Sequence, residues 1–224
     1  MQVKLLLYFV LLLISDDTFS QILGEETPGS GAHSKSSPPI LFDGLYLGVS
    51  VGYQNIFGGS FVNGVDILAQ DTRRVLDIPI GYRKQFIKGR YLVGIEYSFG
   101  FTDGNLRHVD DINQLEITYE NDSQSGFGGI GGVAIGRKRS FLIYGYLNET
   151  SRNFEVRIID QGKVIRQRDE QGMLKYGLGL EAHLWLGLNF RASVGGLRVD
   201  FGDQITNIDV EDELDLMIGL IYQL

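Results

Sequence analysis

Alternation with a period of two governs the C-terminal part of this chain, with aliphatic and aromatic residues on one side and a glycine-rich set on the other. In MLKYGLGLEAHLW, Leu174, Tyr176, Leu178, Leu180, Ala182 and Leu184 share one face, and Lys175, Gly177, Gly179, Glu181 and His183 share the other. In the last stretch, Leu214, Leu216, Ile218, Leu220, Tyr222 and Leu224 oppose Asp215, Met217, Gly219, Ile221 and Gln223. Successive side chains of a strand point to opposite faces, so both stretches read as β-strands. A soluble sheet dresses its outer face in Lys, Glu and Thr. Here the apolar face is unbroken, and the other holds Gly and a few charges, which suits the inside of a narrow barrel. The pattern predicts a transmembrane β-barrel that is apolar outside.

The rest of the chain extends the pattern to an all-β, eight-stranded, antiparallel up-and-down barrel. The first strand is Gly44 to Gln54, followed by a loop from Asn55 to about Thr72. The second runs from about Arg73 to Lys84, with a bulge or distortion expected at Pro79, which has no N–H to give to a ladder. A turn at Lys88-Gly89 leads to the third strand, Arg90 to Phe101, and a polar loop with Asp103, Asp110 and Asp111 follows. Leu115, Ile117 and Tyr119 begin the fourth strand or form a separate loop strand. Its membrane part, Gly126 to Arg137, is so glycine-rich that its register is weakly specified. The fifth and sixth strands, Phe141 to Ile158 and Lys163 to Trp185, flank the hairpin signal Asp160-Gln161-Gly162-Lys163. Both exceed the roughly 9–11 residues that a tilted span needs, so this hairpin should project from the membrane. The seventh strand, Leu188 to Phe201, changes parity at Gly195-Gly196, which suggests a bulge. An acidic loop, Gly202 to Glu213, precedes the eighth.

Four stretches, FDGLYLGVSVGY, LVGIEYSFGF, YGLGLEAHLWLGLNFRASVGGLRVDFGD and DLMIGLIYQL, carry a resemblance to a known family. The chain from Leu41 to Leu224 resembles the small porin-family outer-membrane barrels of the OmpA and OmpX type. The resemblance implies a Gram-negative outer membrane, with outer-membrane lipid, lipopolysaccharide and the outer-membrane assembly machinery as partners. The family usually ends on an aromatic residue. This chain ends on Leu224, with Tyr222 two positions earlier on the same face.

Export fits the N-terminus. Met1 to Ser20 reads as a signal peptide, with Lys4 before the apolar run Leu5 to Ile14 and Thr18 and Ser20 at the cleavage site. Residues 21–40, rich in Gly, Ser and Pro, read as a flexible periplasmic lead-in, and residues 41–224 as the barrel. The chain has 224 residues, no Cys and a net charge of −8. Without Cys there is no disulfide frame or thiolate metal site, and the acidic balance argues against nucleic acid.

Enzyme motifs are missing. His33, His108 and His183 lie in HSK, HVD and HLW, none of them the His-x-Ser of barrel deacylases, and there is no G-x-S-x-G or zinc pattern. His183, Glu181 and Ser193 are the residues that could meet in a lumen, with interior polar filling as the plainer account. The acidic stretch Asp209 to Asp215 lacks the spacing of a calcium loop. No cofactor and no enzyme activity are expected.

The inward charges are the candidate site. Asp77, Arg83, Glu96, Lys175, Glu181, Arg191 and Asp215 have lumen parity. Eight strands leave a bore that side chains fill, so charges there must be paired or hydrated. Glu181 and Arg191 sit on adjacent strands, and Glu96 and Lys175 share the inner wall. These groups suggest a polar plug, with a narrow pore as the alternative. The role expected is envelope structure and contact with a surface partner, through the loops and the projecting hairpin. A soluble lipocalin-like binder, its apolar face turned inward, is the alternative of a different class.

Overall fold

The computed structural model describes residues 40–62, 65–136, 138–200 and 213–224. The expected signal peptide, nearly all of the lead-in and the acidic loop before the last strand lie outside the described residues.

Nine strands are described: β1 (Gly44–Val62), β2 (Val65–Phe86), β3 (Tyr91–Thr102), β4 (Asn105–Asp110), β5 (Leu115–Ile135), β6 (Phe141–Asp160), β7 (Lys163–Trp185), β8 (Leu188–Asp200) and β9 (Glu213–Gln223). Each neighbouring pair is antiparallel. β1 pairs with both β2 and β9, and β3 pairs with β5, so β1, β2, β3, β5, β6, β7, β8 and β9 close a ring of 8 strands. Closure leaves no free edge in the ring, as a bilayer requires. β4 continues the line of β3 after Gly104 and pairs with the far end of β5.

The apolar face points outward. Leu45, Leu47, Val49, Val51 and Tyr53 of β1 are all about half exposed, as are Leu216, Ile218, Leu220 and Tyr222 of β9. Tyr46, Ser50 and Gln54 between them are buried inside. This is the reverse of a soluble binding barrel.

The two ends differ. One end has short turns: Ile87 to Arg90, the segment before Phe141, and Leu186-Gly187. Leu186 and Gly187 both have positive φ (46° and 80°), the geometry of a two-residue hairpin turn whose twist matches the strands. At the other end three hairpins rise: β1–β2, β4–β5 and β6–β7. Gln161 and Gly162 turn the last of these with φ of 46° and 83°.

Three sequence expectations need correction. Asn55–Val62 and Val65–Thr72 are strand rather than loop; β1 and β2 pair up to Val62↔Val65. The acidic loop after β3 contains β4. At Pro79 the expected distortion is present: the β1–β2 pairing omits Ile78 and Pro79 and resumes at Ser50↔Asp77 in unchanged register, an interruption of the ladder without a bulge. At Gly195-Gly196 the pairing to β7 and β9 is continuous, and no bulge exists. What changes there is the interior, which turns from polar to apolar, so that Leu197 is fully buried on the lumen side. The bulges lie elsewhere, between Asn121 and Ser123 in β5 and between His183 and Trp185 in β7. The first explains the fourth strand. Odd residues (Leu115, Ile117, Tyr119) point inward before it, and even ones (Gln124, Ile130, Ala134) after it.

The inside is layered. At the short-turn end, Phe42, Leu92, Ile130, Ala134, Leu142 and Ile221 form an apolar cluster with Tyr46 and Tyr144. At the other end, Ile56, Ile67, Ala69, Leu106, Leu115, Ile117, Tyr119, Phe154, Val156 and Ile158 form a second. The rising hairpins are therefore a continuation of the barrel with a core of their own.

Candidate functional site: the lumen

Inward glycines make room for large polar side chains. A Cβ at Gly81 would strike the Tyr46 ring, and one at Gly179 the Tyr144 ring. These two tyrosines lean across the lumen and floor the charged layer above the first apolar cluster.

Glu181 is its centre, with no exposed surface. Arg83 Nη1 donates to both of its oxygens at 2.8 Å, and Arg191 Nε donates to Oε1 at 2.8 Å. Arg191 Nη1 also donates to Glu96 Oε2, which accepts from the Tyr46 hydroxyl at 2.6 Å. The guanidiniums stack on rings: Arg83 lies 4.6 Å from the Tyr46 centroid and Arg191 lies 5.3 Å from that of Tyr144. Arg83 Nε donates to Gln223 Oε1 at 2.9 Å, which ties the layer to the last strand. Two cations and two anions balance, and the layer links β1, β2, β3, β7, β8 and β9.

Asp77, Lys175 and Asp215 stand one layer above and join no ion pair with the lower four. With Ser50, Asn148, Tyr146, Ser193 and Met217 they line a cavity of about 50 Å³. Asp77 Oδ1, Asn148 Oδ1 and Asp215 Oδ1 are buried without a protein partner. A space of this size and polarity holds about three to five water molecules, which would satisfy those oxygens. Above it Arg152, fully buried, donates to Gln54 and Gln124, at 3.0 Å for the latter. The second apolar cluster caps the stack.

All seven candidate residues thus lie on the inner wall, in two groups. Glu96 meets Arg191 across the lumen, and Lys175 faces the two aspartates instead. Tyr46, Arg152 and Gln223 escaped sequence reasoning. The parity of Tyr46 and Arg152 was readable, but a partner on the opposite wall depends on a barrel radius that strand patterns do not contain. His183, Glu181 and Ser193 do not assemble. His183 Nδ1 is 2.9 Å from Asn189 Oδ1, and Glu181 is occupied by two arginines. Among the described residues no group of three or more His, Cys, Asp or Glu side chains could hold a metal ion.

The family model described as "Outer membrane protein beta-barrel domain" matches residues 31–220. The chain belongs to this family. It is an outer-membrane protein, and its outward apolar band faces lipid. In such barrels the short turns face the periplasm and the long hairpins the outside. Among solved structures it is similar to Ail, the attachment invasion locus protein of Yersinia pestis, at 16% identity and a TM-score of 0.44, over 80% of this chain and 98% of that one. It is also similar to Neisserial surface protein A (10%, TM-score 0.42, 81% and 98% coverage). The N-terminal β-barrel domain of Pseudomonas aeruginosa OprF is a third (13%, TM-score 0.37, 80% and 97% coverage). No curated protein matches the sequence.

Proposed function

We propose that this protein is a non-enzymatic envelope barrel whose plugged lumen serves stability and whose extracellular hairpins make contact with surfaces. The observation that carries the reading is the apolar core inside the hairpins. Ile117, Val156 and Phe154 are at most 3% exposed in a region beyond the lipid-facing band. A flexible loop needs no core, whereas a rigid platform for recognition does, since ordering cost is met before a partner arrives. Below it, among the described residues, the balanced Arg83–Glu181–Arg191–Glu96 layer and the periplasmic apolar cluster fill the lumen beside a polar cavity of about 50 Å³, which supports a plug over a pore. Insertion through the assembly machinery, after removal of the leader at residues 1–20, belongs to the same reading.

Two measurements test it. In planar bilayers the intact protein should show little steady conductance; large, stable, ion-selective currents would replace the plug with a pore. Replacing Asn153–Glu170 by a two-residue Asn-Gly turn should leave the barrel in the membrane and reduce attachment of displaying cells to surfaces. Unchanged attachment at equal protein level would refute the surface role.

A further inference from the structure

Charge is segregated on this barrel. The chain carries a net charge of −8, yet its periplasmic end is basic. Outside the lumen, the described residues of that end include Lys84, Lys88, Arg90, Lys138 and Arg139, and the acidic side chain among them is Asp43. Asp43 lies 3.9 Å from Lys84 and accepts from the Gln85 backbone N–H at 2.6 Å, which leaves the cations of the two turns without a carboxylate. Those turns are neighbours. β3 pairs with β5, with Tyr91 opposite Val133, and Ala134 N donates to Arg90 O at 2.7 Å. The β2–β3 and β5–β6 turns therefore make one cationic sector of the rim, with Lys88, Arg90 and Lys138 exposed. The turn between β7 and β8, Leu186-Gly187, carries no charge. Like charges gathered in this way repel each other unless an anion sits among them.

What lies beside the sector identifies the anion. Ile87, Tyr91, Ile135 and Phe141 are exposed next to these cations, continuous with the lipid-facing band. Aromatic residues in such a position form the girdle at the boundary between hydrocarbon and water. The Arg90 guanidinium lies 5.6 Å from the Tyr91 ring centroid, so its charge is drawn back against the girdle rather than out into the periplasm. The stems of Lys88 and Lys138 are long enough to bring their amines to the same boundary.

A lipid whose acyl chains lie on Tyr91 and Phe141 has its headgroup at the level of these cations. A soluble partner or a cell-wall polymer has no need of them at that depth. We propose that the sector formed by Lys88, Arg90, Lys138 and Arg139 binds anionic phospholipid headgroups of the periplasmic leaflet and holds the short-turn end of the barrel at that surface. The site is independent of the surface role of the hairpins at the opposite end.

The test is local quenching by brominated lipid. In a Trp185→Phe background, Tyr91→Trp puts the single tryptophan beside the sector, and Phe190→Trp puts it on β8, across the ring from β3. Each chain is refolded into vesicles of phosphatidylcholine and phosphatidylglycerol, with one lipid or the other dibrominated. A cation near an anionic surface gives roughly a fivefold preference. Quenching at Tyr91→Trp should therefore show a preference for phosphatidylglycerol of about fivefold or more at low salt, falling as salt is added, and none at Phe190→Trp. Lys88→Gln, Arg90→Gln, Lys138→Gln and Arg139→Gln together should bring it close to equality. Lys88→Gln with Lys138→Gln, changed only at exposed turn positions, should lower it in part even if the fourfold variant refolds poorly. Equal quenching at the two positions, or a preference that survives these substitutions, overturns the site. Retention of the unmodified protein by purified cell-wall polymer, lost in the same variants and without any lipid preference, overturns it as well and gives the rim to the wall.

Discussion

Removing the Glu181 carboxylate should destabilise the barrel strongly, and a second change should undo much of the damage. Glu181 accepts three hydrogen bonds from two guanidiniums while fully buried. Hydrogen bonds to charged groups contribute about 1.5–3 kcal/mol each, but these three share one carboxylate, so their sum overstates the loss. Breaking one side of a buried pair costs about 3–5 kcal/mol, mainly from the charge left behind. Glu181→Gln leaves Arg83 and Arg191 with Glu96 as the only anion of the layer, and a loss in that range is expected. Arg83→Met, added to it, restores one cation to one anion, with Arg191 still held by Glu96. The double variant should be more stable than Glu181→Gln alone, at the expense of the Arg83–Gln223 contact. Urea unfolding in lipid reads the difference through Trp185, the single tryptophan, which lies 61% exposed on the lipid side. Losses that simply add in the double variant would show that charge balance does not govern this layer.

Gly179→Ala places a methyl against the Tyr144 ring and should cost about 1–3 kcal/mol by overpacking, read in the same unfolding experiment. Leu178→Arg puts a charge on a lipid-facing site that is 64% exposed; the expected penalty is about 2–4 kcal/mol if the site is near the midplane, and refolding yield in bilayers should fall. In the extracellular β4–β5 hairpin, the hydrogen bond from Arg107 at 2.9 Å holds the Glu116 carboxyl below its ordinary range. A carboxyl depressed on folding stabilises fully above its unfolded value and loses that contribution as pH falls through the folded one. Hydrogen exchange should therefore show the hairpin loosening on acidification within that window, and Glu116→Gln should reduce the pH dependence, leaving the part due to Asp110, whose carboxyl is likewise lowered by hydrogen bonding with Asn113.

Wherever lipid lies outside and charge inside, parity alone separated the two faces. Leu45 to Tyr53, Tyr91 to Phe101 and Leu214 to Leu224 all follow it. The reading weakened beyond the membrane, where the inside turns apolar. There Leu197 shares the side of Arg191, and a rule that sends apolar residues outward reads a bulge at Gly195. The true bulge in β5 sits among Asn121, Asp122 and Ser123, polar residues with no pattern to break. Asn55 to Thr72 reads as loop because its short apolar runs are interrupted by Gly, Asn and Asp. Asn55–Val62 and Val65–Thr72 are strands because they pair with each other, and they also pack against β4 and the Tyr119 ring, which lies over Gly58. Glu96 could not be matched to Arg191 because their strands are not neighbours.

Gln223 gives the ring a latch with a consequence for how the molecule assembles. Its side-chain amide donates to the carbonyls of Asp43 and Leu45, and its oxygen accepts from Arg83. These bonds span sequence separations of 180, 178 and 140 residues. Contacts that distant reward the chain only after nearly everything between them is in place. The β1–β9 seam is thus a late event, and until it forms, two unsatisfied strand edges face each other in a growing sheet. A chain stalled before β1 and β9 pair would be an open barrel with two reactive edges, so closure of this seam, fastened by Gln223, sets when the protein stops being able to pair with anything else in the membrane.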